Sequence, residues 1–135
     1  MKTKHVLCSE DIKAIMAAAE AEALANDWVV SIALCDDGGH LLAYQRLDGA
    51  SPMTAHMAPA KARTAAMGRK ETKVYEDVIN NGRVSFTTAT FMEALLEGGV
   101  PIVVEGQVIG AVGVSGVKSE QDAQIAKAGI AALKL

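Results

Sequence analysis

His56 is the residue in this chain with the most chemistry to offer. With Met53, Met57, Ala60, Thr64 and Met67 it recurs at steps of three and four residues, so a helix there would gather these side chains on one face. Imidazole and thioether are side chains that hold haem iron, which makes His56 the candidate metal ligand and Met53 and Met57 its companions. The competing reading is plain packing, because a methionine stripe at helical spacing more often fills irregular gaps in a core. Lys61 and Arg63 lie on the same segment and could pair with the propionate carboxylates of a haem, or stand as ordinary solvated charges. Arg46 could reach an anionic ligand with its planar guanidinium, or pair with Asp48 to fix the turn Arg46-Leu47-Asp48-Gly49-Ala50. His40 stands beside a turn and His5 in the N-terminal tail, neither with an evident partner.

A second feature is a strand with little side chain on one side. In Gln107–Ser115, alternation puts Ile109, Ala111, Gly113 and Ser115 on one face and Val108, Gly110, Val112 and Val114 on the other. Glycine weakens a strand unless another body comes close to the backbone there. A packed helix, a second subunit or a flat ligand would each serve, so Gly113 is a candidate ligand-facing position.

Familiar enzyme signatures are missing. Gly113-Val114-Ser115-Gly116 has the wrong spacing for a nucleophile elbow. Gly110-Ala111-Val112-Gly113 lies inside a strand pattern, not at a strand–helix turn, so it is no phosphate-binding loop. His-Glu-x-x-His does not occur. Cys8 and Cys35 are far apart, lack a Cys-x-x-Cys spacing and read as free thiols of a reducing compartment.

The elements that must position these residues follow from periodicity. Ser9 is placed to cap a helix running to Asn26, with Ile12, Ile15, Met16, Ala19 and Ala23 at helical spacing. Trp28 to Cys35 is an apolar, β-branched run that reads as a buried strand, and His40 to Arg46 returns after Asp36-Asp37-Gly38-Gly39 to make a hairpin. Ser51-Pro52 opens a second helix that extends to about Gly68 and is kinked or restarted at Pro59. Val74 to Ile79 reads as a helical turn and Val84 to Phe91, rich in threonine and aromatics, as a short strand. Gly98 to Val104 and Gln107 to Ser115 flank Glu105-Gly106 as a second hairpin. Ser119, with Asp122 three residues on, begins a last helix carrying Ala123, Ala126, Ile130 and Leu133.

Composition bounds the rest. A chain of 135 residues suits one domain over its whole length and buries about two-thirds of its surface without disulfides. Half of the residues are hydrophobic while only 4% are aromatic, so closely packed elements and subunit-covered apolar surface are expected. The net charge is −3, and the one basic cluster (Lys61, Arg63, Arg69, Lys70, Lys73) is followed by Glu71, Glu76 and Asp77, which argues against nucleic-acid binding. No apolar run approaches a membrane span and no signal-peptide pattern opens the chain, so the expected compartment is the cytoplasm.

Three blocks in register resemble one family. They are Asp36-Asp37-Gly38-Gly39-His40-Leu41 with Arg46-Leu47-Asp48-Gly49-Ala50, then Lys61-Ala62-Arg63-Thr64-Ala65, then Gly98-Gly99-Val100-Pro101-Ile102 with Gly106 to Gly116, Asp122 and Ala128-Gly129. Their order and spacing are similar to the GlcG/HbpS-like proteins, which include the C-terminal domain of some PduO-type corrinoid adenosyltransferases. The resemblance implies a profilin-like α/β/α (α+β) domain with one antiparallel sheet of about five strands and helices on both faces. It implies homo-oligomers, dimers or larger and up to an octamer. It implies a haem-binding accessory or sensor protein, with oxidative haem degradation as one alternative. A non-catalytic subunit partnering a metabolic enzyme of glycolate or corrinoid metabolism is the other. The family's usual Gly-Val-Ser-Gly-Gly is here Gly-Val-Ser115-Gly116-Val117, which narrows the loop before the last helix.

Overall fold

In the computed structural model, which describes residues 1–134, the chain runs α1 (Ser9–Ala25), β1 (Ser31–Asp36), β2 (Leu41–Arg46), α2 (Pro52–Gly68) and α3 (Thr72–Asn80). A 3-10 turn (Val84–Thr88), β3 (Gly99–Val104), β4 (Gln107–Ser115) and α4 (Ser119–Ile130) complete it. The strands form one antiparallel sheet in the order β2-β1-β4-β3. Helix α2 covers one face, and α1 with α4 covers the other, so the α/β/α layering holds with helices on both faces.

The sheet has four strands, not five. Val84 to Phe91 forms no strand, because the Thr87 and Thr88 hydroxyls donate to the carbonyls of Val84 and Ser85, at 2.6 and 2.7 Å. Threonine hydroxyls that bond locally close tight turns and draw the backbone away from a ladder. Two caps also differ. The N-cap of α1 is Cys8, whose N–H donates to the Asp11 carboxylate at 2.9 Å, so Ser9 is already helical. The N-cap of α4 is Lys118, one residue before Ser119. Helix α2 runs unbroken through Pro59 and does not restart there; the proline removes the N–H that Ala55 C=O would otherwise accept.

The two faces of the sheet are packed differently. Toward α1 and α4 the core is made of large residues, among them Ile15, Ile32, Leu34, Val112, Val114 and Ile125. Toward α2 it is made of Ala33, Cys35, Ala58, Ala62, Ala65, Ala66 and Ala111. Gly99 and Gly113 face each other across β3 and β4. A Cβ on Gly113 would stand 2.1 Å from Ala58 O, and one on Gly99 would stand 2.3 Å from Lys61 O. The helix backbone therefore rests directly on the sheet in a trough cleared by this pair. Strict alternation along β4 ends at a bulge around Ile109, which turns that side chain into the large-residue core.

Gly113→Ala should therefore cost about 3 kcal/mol or more, because the methyl meets backbone that cannot step aside. Gly106→Ala, in the open turn at φ +78° with nothing nearby, should cost only about 1 kcal/mol. Urea denaturation of both variants checks the trough, and equal losses would contradict it.

Candidate functional site

The close seating of α2 over β1, β4 and β3 leaves most of β2 uncovered on the same side, with Leu41 56% and Tyr44 37% exposed. Between the outer flank of α2 and the start of β2 lies a cleft of about 370 Å³, lined by Cys35, Gly39, Leu41, Ala55, His56, Pro59, Ala60, Arg63 and Glu93. His56 and Arg63 stand seven residues apart on α2, about 10 Å along its axis, and contribute the cleft's imidazole and guanidinium.

The opposite wall is held by the β1–β2 turn. Asp36 Oδ1 accepts the N–H groups of Gly38 and His40 at 2.9 and 3.0 Å and also contacts His40 Nδ1. Against the cost of its burial, these donors hold the Asp36 carboxyl below its ordinary value. Gly39, at φ +84°, leaves room for the Arg63 stem: a Cβ there would stand 2.5 Å from Arg63 Cγ. At the far end, the Thr54 hydroxyl donates to Ser51 O at 2.6 Å, so Ser31 must donate to Thr54 at 2.8 Å and Tyr44 to Ser31 at 3.1 Å. This directed chain ties β2 to the first turn of α2.

The candidate residues separate on this geometry. His56 and Arg63 line the cleft, and Arg63 Nη2 pairs with Glu93 Oε1 at 3.2 Å. Thr64 is buried and serves the site indirectly, donating to Glu93 O at 2.6 Å. Met53 is exposed on the first turn and Met57 half-buried, and neither lines the cleft. Arg46 is exposed at the end of β2 and forms no ion pair with Asp48 among the described residues. Gly113 lies under α2, so the side-chain-poor strand makes room for the chain's own helix and not for a ligand.

Lys61 is corrected too. Its side chain, 3% exposed, donates to Val114 O at 3.1 Å and to Asp122 Oδ2 at 3.2 Å, past the end of β4. It joins α2 to α4 and is out of reach of any propionate. The sequence signal was available: Lys61 interrupts the stripe Ala58, Ala62, Ala65 that packs on the sheet, and a lysine there has to find a buried partner. Glu93 left no comparable signal. His40 and His5 meet Asp36 and Glu105.

Cys35, at the base of the cleft, has its thiol pushed up to about 12 by burial, so the thiol by itself stays protonated and is a poor nucleophile near neutrality. Among the described residues no group of three or more His, Cys, Asp or Glu is placed to hold a metal ion, and no helix is long and apolar enough to cross a membrane. A second groove, about 310 Å³, runs between α3 and residues 92–96 with Glu76 as the one charged residue lining it. It offers no cation and no imidazole.

Residues 7–131 match the family model described as haem degrading protein HbpS-like. The chain is 57% identical over 115 residues to protein GlcG of Escherichia coli strain K12, covering 85% of each. Its structure superposes on that of a PduOC:heme complex with a TM-score of 0.88 at 27% identity, covering 96% of both chains. Against the crystal structure of HbpS the TM-score is 0.89 at 28% identity, covering 100% of this chain and 95% of the other.

The buried pair gives a pH signature. Burial, working against Lys61 and the Val117 N–H, pushes the Asp122 carboxyl up from 3.8 to about 6. Protonation then favours the folded chain, so this contribution is fully present below about pH 4 and is lost as pH rises through 6. Asp122→Asn takes the counter-charge from Lys61 at every pH, leaves its bond to Val114 O and removes the titration. The stability of the parent relative to that variant should therefore rise as pH falls from 7 to 5, and parallel urea midpoints would show that Asp122 does not titrate there.

Proposed function

The chain belongs to the HbpS-like family, and from that footing we propose that the cleft between α2 and β2 binds haem. One observation carries the proposal: His56 and Arg63 lie on the same cleft wall, two helical turns apart, with the apolar Leu41 facing them. An imidazole for the iron and a guanidinium for a propionate are the donors a haem needs, and here they converge on one opening. The haem complex of the structural neighbour supports the same class of ligand.

The fit sets a limit. A volume of about 370 Å³ is at the small end for a ligand pocket, so the cleft takes one edge of the macrocycle and leaves the rest uncovered. Leu41, which lines the opening, and Met67, which packs beside Gly39, are both exposed and form the surface that a second copy of the chain would cover. Bound haem supplies a redox-active iron. The chain's own residues would bind and orient it: His56 would present a ring nitrogen and Arg63 would hold the acid side chain. We read the site as a binding or sensing one in an oligomer, and the description of the matching family model makes haem breakdown the second reading.

Hemin titration followed at the Soret band tests it. His56→Ala should weaken binding about tenfold or more and shift the band, as expected on losing an iron ligand or a comparable 1.4 kcal/mol interaction. Arg63→Ala should weaken it by about twofold to fivefold, the range for a solvent-facing ion pair. Met53→Ala and Met57→Ala should bind as the parent does. Parent-like binding by both the His56 and Arg63 variants would remove the assignment, and His56-dependent bleaching with a reductant and oxygen would assign haem breakdown instead.

A further inference from the structure

We propose that Glu93 is a built-in competitor for the ligand: its carboxylate occupies Arg63 until a carboxylate of the incoming molecule displaces it. The inference rests on the haem-cleft reading and adds to it a residue that sets selectivity for acidic ligands.

Three observations place Glu93 in this role. Its backbone is clamped from both sides by Thr64, whose hydroxyl donates to Glu93 O at 2.6 Å and accepts from Glu93 N–H at 3.2 Å. Thr64 is buried and adjacent to Arg63 on α2, so the loop that carries Glu93 is registered against the cleft from within the fold. The side chain has its own freedom beyond that clamp, being 60% exposed.

Arg63 does not depend on Glu93 for its position. Its stem is seated against Gly39, where even a methyl group would collide with it, so packing aims the guanidinium over the opening. The Arg63–Glu93 contact is a single one, Nη2 to Oε1 at 3.2 Å, between partners 42% and 60% exposed. A pair of that kind contributes little in water. A carboxylate that meets the guanidinium with two parallel hydrogen bonds makes the stronger contact, and would replace it.

Charge balance completes the argument. Among the residues lining the cleft, Arg63 and Glu93 carry the full charges, and they neutralise each other. A neutral flat molecule entering the cleft leaves that pair intact. An acidic one trades places with Glu93, whose carboxylate then swings to water. The resting cleft thus carries the same carboxylate chemistry that it takes up on binding, and its affinity is held down by the exchange.

Parallel titrations of hemin and hemin dimethyl ester into the parent, Glu93→Gln, Arg63→Ala and the double variant decide the matter. Glu93→Gln should bind hemin about twofold to fivefold more tightly than the parent. It should bind the ester as the parent does, and should give no gain once Arg63 is alanine. Unchanged or weaker hemin binding by Glu93→Gln, beside saturable binding by the parent, overturns the competitor role and leaves the cleft assignment standing. Equal tightening for hemin and ester means that relief of crowding, not charge, is responsible, and also overturns it. Absence of saturable binding in every variant, each folded by circular dichroism, removes the haem reading and this inference with it.

Discussion

Backbone touches backbone where α2 crosses β3 and β4. Gly99 and Gly113, opposite each other in the ladder, keep side chains of their own out of the crossing, and the alanines of α2 present only methyl groups from above. The rest of the architecture follows from this close approach. With α2 seated so low, it cannot also extend over β2, so the edge strand keeps an open face and a cleft forms between the two. The same seating leaves no space for a long side chain on the buried flank of the helix. Lys61 therefore runs past the end of β4 to reach Asp122 on the far layer. Trough, cleft and buried ion pair are three consequences of one packing decision.

Much of this could be read from residue order. The two hairpins, the opening of α2 at Ser51-Pro52 and its end at Gly68 follow from local signals, because turn glycines and a proline in the first helical turn act over a few residues. The layered fold was likewise legible through the family resemblance. What escaped was whatever depends on distant partners. A run of small residues on a strand admits a helix or a ligand equally well, and only the approach of Ala58 and Ala62 to Gly113 distinguishes them. Lys61 and Asp122 are 61 positions apart, and no local pattern links them. The stretch from Val84 to Phe91 departs from the strand expectation because threonine favours strands statistically while its hydroxyl can equally close a tight turn.

The site divides along the same line. His56 and Arg63 line the same cleft because a step of seven residues returns to one flank of one helix, a local property. Glu93 has no such local signal, since it reaches the cleft from an irregular segment held by a hydrogen bond to Thr64. Thr64 shares the helix with His56 and Arg63, and its work lies in positioning that loop. The family relation narrows the ligand class and the geometry narrows the place, and neither does both alone.

The central claim is that haem lies in the cleft between α2 and β2. Paramagnetic broadening of backbone amide signals by hemin maps the bound iron without relying on any substitution. Signals from Gly39, Leu41, His56 and Ala60 should vanish first, while those of Ile79 and Leu95 in the groove beside α3 persist. Loss of the α3 signals with the cleft unaffected would place the haem elsewhere and contradict the account.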